Sequence, residues 1–342
     1  MSFIKKILRK TFLKKIVEHH RNVKKAKNAI NKYYGNEIGN REKRELVKEM
    51  IFLSKEYSYG YDEFCYLGFK DMTMEQRLEF VSDWQRSETA KKMNQNGDLE
   101  IFDNKEKTLQ YFEKYFKRDV CAVTSENSFD AFEKFCTKHS RFIVKPLDSC
   151  FGRGVEIITL QKSIKETFYE LLEKRNNGFL AEQLIVQVDE MAKFHPQSCN
   201  TVRIPTIRFD DRVEVVHPFL RVGRGDSVVD NAGSGGIIVA VVAQTGITIA
   251  AADEKGKSYT KHPETEYDLI GFKIPRWNEA IELVKELAQV VPANRYTGWD
   301  VALTDDGWVM VEGNSRGHFV WQVATKKGFK QELNEIMKEL NL

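Results

Sequence analysis

Gly298-Trp299-Asp300-Val301-Ala302-Leu303-Thr304-Asp305-Asp306-Gly307-Trp308-Val309-Met310-Val311-Glu312-Gly313-Asn314 reads as a β-hairpin, two apolar runs around an Asp-Asp-Gly turn. Its register decides what the rest of the chain must accommodate. A two-residue turn at Asp306-Gly307 pairs Val301 with Glu312 and drives a carboxylate into the apolar face. A three-residue loop, Asp305-Asp306-Gly307 with Gly307 left-handed, pairs Val301 with Val311 and Leu303 with Val309 and keeps that face aliphatic. In that register Asp300 lies opposite Glu312, Asn314 follows two residues along the same face, and Trp308 and Met310 share it. Carboxylates converging on one face repel unless a cation joins them, and oxygen donors without His or Cys suit Mg²⁺. The bland alternative is three polar residues on a solvated sheet face.

Upstream, residues 142–158 read as strand, glycine loop, strand, with Lys145 at the end of the first strand and Gly152 and Gly154 in the loop. Glycines there let backbone N–H groups close around an anion, and the lysine adds a point charge. No helix and no GK[ST] follow, so this is not a Walker loop, and a simple tight turn fits the pattern equally well. Ala181-Glu182-Gln183-Leu184-Ile185 then leaves an apolar strand for a connector, a place where backbone groups meet a purine edge, with Glu190 eight residues beyond Glu182 in reach of a ribose. An ordinary strand exit with solvated acids is the alternative.

The chain as a whole has 342 residues, 42% apolar and 30% charged, enough for about two domains and far from disordered composition. No run of ~18 apolar residues exists and the basic N-terminus lacks a secretory h-region. Five cysteines (Cys65, Cys121, Cys136, Cys150, Cys199) form no CxxC, which speaks against disulfides and zinc and for a reducing, cytoplasmic setting. Ten Lys/Arg against the single acid Glu18 fill residues 1–30, and the remainder is net acidic, which excludes a nucleic-acid surface on the body. Phe3, Ile4, Ile7, Leu8, Phe12 and Ile16 recur at helical spacing among lysines, the pattern of an interfacial helix or of a helix docked on its own core.

Residues 1–98 read as helical, with segments at 43–55 and 73–86, the second opened by a Thr73/Gln76 capping box, and an aromatic connector at 57–69. Strands and helices alternate from residue 99: strand 119–124, helix 128–138, strands 141–146 and 155–160, a helix opened by Ser163 and Glu166, strand 179–186. Hairpins follow at 201–222 and around 244–246, then helix 278–290, the last hairpin and a closing helix 326–342. Pro205 predicts an edge or bulged strand. Asn94-Gln95-Asn96-Gly97-Asp98 is the clearest boundary. The class is α+β with antiparallel sheet.

Lys105, Lys145 before the glycine loop, the 182–185 hinge and Asp300…Glu312-x-Asn314 stand in an order that resembles the ATP-grasp superfamily of carboxylate ligases over roughly residues 100–325. Asn200-Thr201-Val202-Arg203, Arg221-Val222-Gly223, Asp230-Asn231 and Gly235-Gly236 look, within it, like the sugar-transfer-associated ATP-grasp family, which is linked with bacterial capsule and surface-polysaccharide synthesis. The resemblance implies an ATP-grasp fold, two α+β subdomains (99–190 with the glycine loop, 191–342 with the metal residues) sandwiching ATP behind a helical region, 1–98. It implies that Lys105 and Lys145 contact the ATP phosphates, that Ser149, Gly152, Arg153 and Gly154 fold over them, that Glu182, Gln183 and Ile185 hold adenine and that Glu190 holds the ribose. Asp300, Glu312 and Asn314 would carry two Mg²⁺. Arg203 and Arg221 would neutralise transferring phosphate, Asn231 and the Gly233–Gly236 turn would edge the acceptor site, and Arg316 with His318 would hold an anionic acceptor.

The function so implied is ADP-forming ligation of a carboxylate to an amine through an acyl phosphate, on a sugar acid or amino acid, in the cytoplasm at the inner face of the membrane, with residues 3–16 touching lipid. The same residues would serve a phosphotransferase acting on a hydroxyl. A non-catalytic nucleotide-binding protein is the third reading, disfavoured because both lysines and all three metal positions are present. Two departures stand out: residues 1–98 are helical where many relatives begin with a parallel α/β domain, and Gly298 stands where some ligases place an arginine two residues before the first metal Asp, so that Arg203 must supply that charge.

Overall fold

The computed structural model describes residues 3–35, 37–148, 154–176, 178–227, 230, 235–316 and 320–342. Helices α1 (Phe3–Tyr34), α2 (Asn40–Tyr57), α3 (Tyr61–Tyr66), α4 (Met74–Leu78), α5 (Asp83–Met93), α6 (Glu100–Asp103) and α7 (Lys105–Phe116) come first. They are followed by β1 (Val120–Val123), α8 (Phe129–Lys138), β2 (Arg141–Pro146), β3 (Glu156–Thr159), α9 (Ile164–Lys174), β4 (Phe179–Gln183) and α10 (Asp189–Ala192). The rest comprises β5 (Val202–Arg208), β6 (Val213–Val215), β7 (Phe219–Val222), β8 (Ile237–Val241), β9 (Thr248–Asp253), α11 (Trp277–Val290), β10 (Tyr296–Thr304), β11 (Gly307–Asn314), α12 (Trp321–Thr325) and α13 (Lys330–Glu339). Among the described residues no helix is long and apolar enough to cross a membrane.

Among the described residues every strand pairing is antiparallel. A four-stranded sheet runs β1-β4-β2-β3, and a seven-stranded sheet runs β11-β10-β5-β7-β8-β9 with β6 also on β5. Strand alternation divides the larger sheet into two unlike faces. Val202, Ile204, Leu220, Val222, Ile237, Val239, Trp299 and Val301 point one way, into a core closed by α7 and α11. On the other face Phe219, Ile238, Ala240 and Ala252 pack under α1–α3 and α12, and Ile207 and Tyr296 pack under α5 and α13. Between those two covered zones the same face carries Arg203, Arg221, Asp300 and Glu312. The aromatic connector folds into edge-on ring pairs of Phe69 with Tyr59, Phe64 and Phe80.

The expected capping boxes form at Thr73 and Ser163. The helix expected over 73–86 is two, because Phe80 and Val81 turn inward and Ser82 with Gln85 opens a second capping box. The expected strand 213–222 breaks at His217, which takes a positive φ of 47°. The closing helix expected over 326–342 is shorter, Lys330–Glu339, because Lys326 in the left-handed conformation (φ 54°) ends the separate helix α12 before it. Pro205 lies neither at an edge nor in a bulge: β5 is flanked by β10 on one side and by β6 and β7 on the other. Its missing N–H faces the gap between β6 and β7, where Val216 donates to the Pro205 carbonyl.

The decisive hairpin corrects the expected register near the turn. Its loop is two residues, Asp305-Asp306, closing on a Thr304–Gly307 pair, so Val301 faces Met310 and Leu303 faces Trp308. A β-bulge then slips Val311 in unpaired, and beyond it Asp300 faces Glu312 as expected. The bulge does what the three-residue loop was expected to do. It also turns Trp308 and Met310 into the apolar core with Val301 and Leu303 and re-aims Val311 beside Glu312.

Trp299 is the keystone of that core: 1% exposed, edge-on to both Phe112 and Phe102, with its indole N–H donated to Thr206 Oγ1 at 2.9 Å. Trp299→Ala is expected to cost about 4 kcal/mol by urea denaturation, and a loss under about 1 kcal/mol contradicts this packing.

Candidate active site

A cleft of about 640 Å³ opens between the two sheets. The larger sheet supplies its charged wall. Asp300, on β10, is 0% exposed and sits directly across from Arg203 of β5. Arg203 grips it in a fork, Nε to Oδ1 and Nη2 to Oδ2 at 2.6 Å. Arg221 of β7 reaches the same carboxylate, Nη2 to Oδ2 at 2.8 Å, and donates to Thr201 Oγ1 at 3.0 and 2.8 Å. Asp230 completes the group, 3.6 Å from Arg221 and accepting the Thr201 backbone N–H at 2.8 Å. Burial works against the Arg221 charge, but Asp230, Asp300 and Glu312 outweigh it and raise its pKa above the ordinary arginine value. Burial raises the Asp230 carboxyl against the pull of Arg221 and Thr201. Gly298 makes room for this: a Cβ there would lie 3.0 Å from Arg203 Cδ, so the missing arginine at 298 and the arginine at 203 are alternatives for one space.

The smaller sheet supplies the opposite wall. On β2, Ile143 and Lys145 face the cleft while Phe142 and Val144 face an aromatic core. Glu182 of β4 is fully buried, 2.9 Å from the Lys145 ammonium and 2.6 Å from Arg118. Burial by itself pushes Glu182 up, yet Lys145 and Arg118 hold it down to about 2. Arg118 also donates to the Met310 carbonyl at 2.6 Å, tying the small sheet to β11. Lys105, the first residue of α7, lines the cleft beside Thr108, its helix capped by Asn104 Oδ1.

Among the described residues no three His, Cys, Asp or Glu side chains converge as a ready metal site. Asp300 has both oxygens engaged by guanidiniums. Glu312 and Asn314 are better disposed. Glu312 lines the cleft without a hydrogen bond or ion pair among the described residues. The Asn314 amide nitrogen is buried without a partner, so offering the amide oxygen instead sacrifices no hydrogen bond. Three carboxylates (Asp230, Asp300, Glu312) against two guanidiniums leave one negative charge over. That donor set fits a hard cation at Glu312 and Asn314.

Of the residues singled out by sequence, Lys105, Lys145, Glu182, Gln183, Ile185, Arg221 and Glu312 line this one cleft. Arg203 and Asp300 lie directly behind them. Gln183 accepts the Asp119 N–H at 3.2 Å. Glu190 is exposed on α10 and is not among the cleft residues. Arg316 is exposed too, paired with Asp103 at 2.7 Å away from the cleft lining. Ser149, Gly152, Arg153, Asn231, Gly233 and His318 lie outside the described residues. Gly154 is described and has φ +71°, with a Cβ there 2.8 Å from Pro146 Cγ, so the loop's exit needs glycine. Sequence reading missed Arg118, which no motif marks, and the role of Asp230, whose signal was its place beside Asn231.

A family model described as sugar-transfer associated ATP-grasp matches residues 85–338. No curated protein matches the sequence. Among solved structures, D-alanine-D-alanine ligase from Helicobacter pylori is 14% identical over 70% of this chain and 61% of that chain, with a TM-score of 0.44. D-alanyl-alanine synthetase A from Vibrio cholerae is 12% identical over 70% and 64%, with a TM-score of 0.42. An L-amino acid ligase from Bacillus licheniformis is 14% identical over 69% and 47%, with a TM-score of 0.41. The chain thus spans less than two thirds of the length of each.

Glu182 gives a pH signature. With its folded pKa near 2 and the ordinary value at 4.5, its contribution is fully present above pH 4.5 and is lost as pH falls through about 2. Glu182→Gln is expected to lose about 3 kcal/mol at neutral pH. Urea titrations across the acid range should show the gap to wild type narrowing below pH 4.5, and a gap independent of pH contradicts the assignment.

Proposed function

Because the chain belongs to the sugar-transfer associated ATP-grasp family, we propose that it is an ATP-dependent ligase joining a carboxylate to an amine, with a sugar acid or amino acid of surface-polysaccharide synthesis as substrate. The observation that carries this reading is the opposition of Lys145 and Glu182 on one sheet to Arg221 and Glu312 on the other across a single cleft. Adenine lies against Ile143, Leu180 and the 183–185 connector, the triphosphate runs between Lys145 and Lys105, and its γ end meets Arg221. Glu312 and Asn314 would hold Mg²⁺, which would supply charge neutralisation at the phosphates. Asp300 serves chiefly to hold Arg203 and Arg221. A second Mg²⁺ at Asp300 would require Arg221 to move onto phosphate.

In the reaction the substrate carboxylate attacks the γ-phosphorus, the bond to the β-γ bridging oxygen breaks, and ADP leaves. The amine then attacks the acyl carbon of the acyl phosphate, phosphate departs with its bridging oxygen, and the amine's proton passes to a base. Arg221 and Arg203 offset the negative charge that gathers on the transferring group. Residues 149–154 close over the phosphates to keep water from the acyl phosphate. Asn231 and His318 edge the acceptor site in this reading, Arg316 joins them only by leaving Asp103, and Glu190 reaches the ribose only if α10 approaches the nucleotide. The organisation proposed is a helical region to residue 98, a glycine-loop part to 190 and a metal-binding part to 342.

The protein works in the cytoplasm at the inner membrane face, held there by the apolar stripe of α1. Of that stripe only the Ile16 side chain lies within the described residues, and it is exposed.

Glu312→Gln is the cleanest test, since Glu312 holds nothing else in place. Turnover, read as amide product and ADP release, should fall more than tenfold with the melting temperature unchanged. Retention of more than about a tenth of the activity, a loss under ~1.4 kcal/mol, refutes the cation role. Lys145→Ala should weaken ATP binding at least tenfold by calorimetry. Unchanged affinity removes the nucleotide from this cleft, and a phosphorylated hydroxyl in place of an amide makes the protein a phosphotransferase.

A further inference from the structure

A second cavity, about 960 Å³, lies far along the chain from the cleft residues, in the groove between α1 and α2. Val23, Ile30, Val47 and Ile51 form its floor, and Phe52, half exposed, stands at one end. The rim is basic. Lys27 comes from α1, and Lys43, Arg44 and Lys48 come from α2, with no acidic residue in the lining. Lys43 is tied to the Gly35 carbonyl at 2.8 Å. Lys27, Arg44 and Lys48 make no ion pair or hydrogen bond among the described residues. Arg44 and Lys48 stand four apart on one helix, an arrangement that destabilises a helix unless an anion intervenes. Of the other α2 charges, Arg41 pairs with Glu45, Glu42 with Lys70 and Glu49 with Arg77. Three cations without such partners thus converge on one apolar groove.

An apolar floor under a ring of unpaired cations calls for an amphiphile with an anionic head. We propose that this groove seats an anionic membrane phospholipid, its phosphate between Arg44, Lys48 and Lys27 and its upper acyl chain along Val23, Val47 and Ile51. The volume is at the upper end of the ~300–1,000 Å³ that small-molecule sites occupy. Each basic side chain near an anionic leaflet is worth about fivefold in partitioning. The occupant is a membrane lipid and not a second copy of the chain, because two such grooves would bring like charges together. The inference builds on the membrane location proposed above but replaces a general stripe with a defined site. Vesicle binding needs neither ATP nor substrate, so it fails or stands apart from the ligase reading.

The test uses the full chain and co-sedimentation at low salt with phosphatidylcholine vesicles, with and without phosphatidylglycerol. Wild type should bind only the phosphatidylglycerol vesicles. Lys27→Glu with Arg44→Glu and Lys48→Glu should weaken that binding more than about 100-fold while calorimetric ATP affinity stays unchanged. Phe52→Ser, at an exposed position that cannot unfold the protein, should weaken it several-fold with the charges intact. Leu8→Ser with Phe12→Ser, on the stripe, should lower binding to the phosphatidylglycerol vesicles only in part and leave the phosphatidylcholine vesicles unbound. The proposal is overturned if wild type ignores lipid charge, if the triple variant and Phe52→Ser bind like wild type, or if light scattering shows that the triple variant has lost self-association instead.

Discussion

Asp300 is a carboxylate with no exposed surface, and it exists in the middle of a sheet only because two guanidiniums close on it. A buried charge left alone is among the most expensive features a fold can carry. Much of the neighbourhood follows from that constraint. Arg203 must stand opposite on the adjacent strand, which needs Gly298 to be small. Arg221 must reach across from the next strand, where Thr201 accepts its other N–H groups and Asp230 adds an ion pair. The result is a charged patch on one face of a sheet whose other face is mainly apolar.

The sheet's two faces divide the labour between stability and chemistry. Trp299 and its neighbours close one face against α7 and α11. Helices α1–α3 and α12 cover one end of the opposite face, α5 and α13 cover the other, and the uncovered middle becomes the floor of the cleft. Asn94, 3% exposed, helps to keep that middle in register: its amide donates to the Tyr296 and Ser315 carbonyls, at either end of the site hairpin. Across the gap, Arg118 couples the small sheet to β11 through Glu182 and Met310. A ligand that draws Lys145 off Glu182 leaves Arg118 as that carboxylate's sole ion-pair partner, so nucleotide binding and the joint between the sheets share one set of charges.

The α+β class, most helices and strands of the chain, and the approach of Asp300 to Glu312 were legible in the sequence, because periodicity, capping boxes and alternation are local signals. What escaped was non-local. The bulge at Val311 restored a register that the two-residue turn alone would have broken, and nothing in the alternation of Trp308–Glu312 marks a slipped residue. Pro205 misled because its ladder gap is created by a neighbouring strand that breaks at His217. The split at residues 79–82 was readable in Ser82-Asp83-Trp84-Gln85, a second capping box hidden by the apolar residues before it. In the site, charge pairs were the blind spot: the pairing of Asp300 with Arg203 and Arg221 has no local signal, and Arg118 carries no sequence mark at all.

The central claim is that the two sheets hold a nucleotide triphosphate between Lys145 and Arg221, with a cation at Glu312. Co-crystallisation with a non-hydrolysable ATP analogue and Mn²⁺ tests it in one experiment, since the metal's anomalous signal locates it independently. The account predicts the base against the 183–185 connector, phosphates reaching from Lys145 to Arg221, and a Mn²⁺ peak bonded to Glu312. A triphosphate bound outside this cleft, or a Mn²⁺ peak ligated by neither Glu312 nor Asn314, would contradict it.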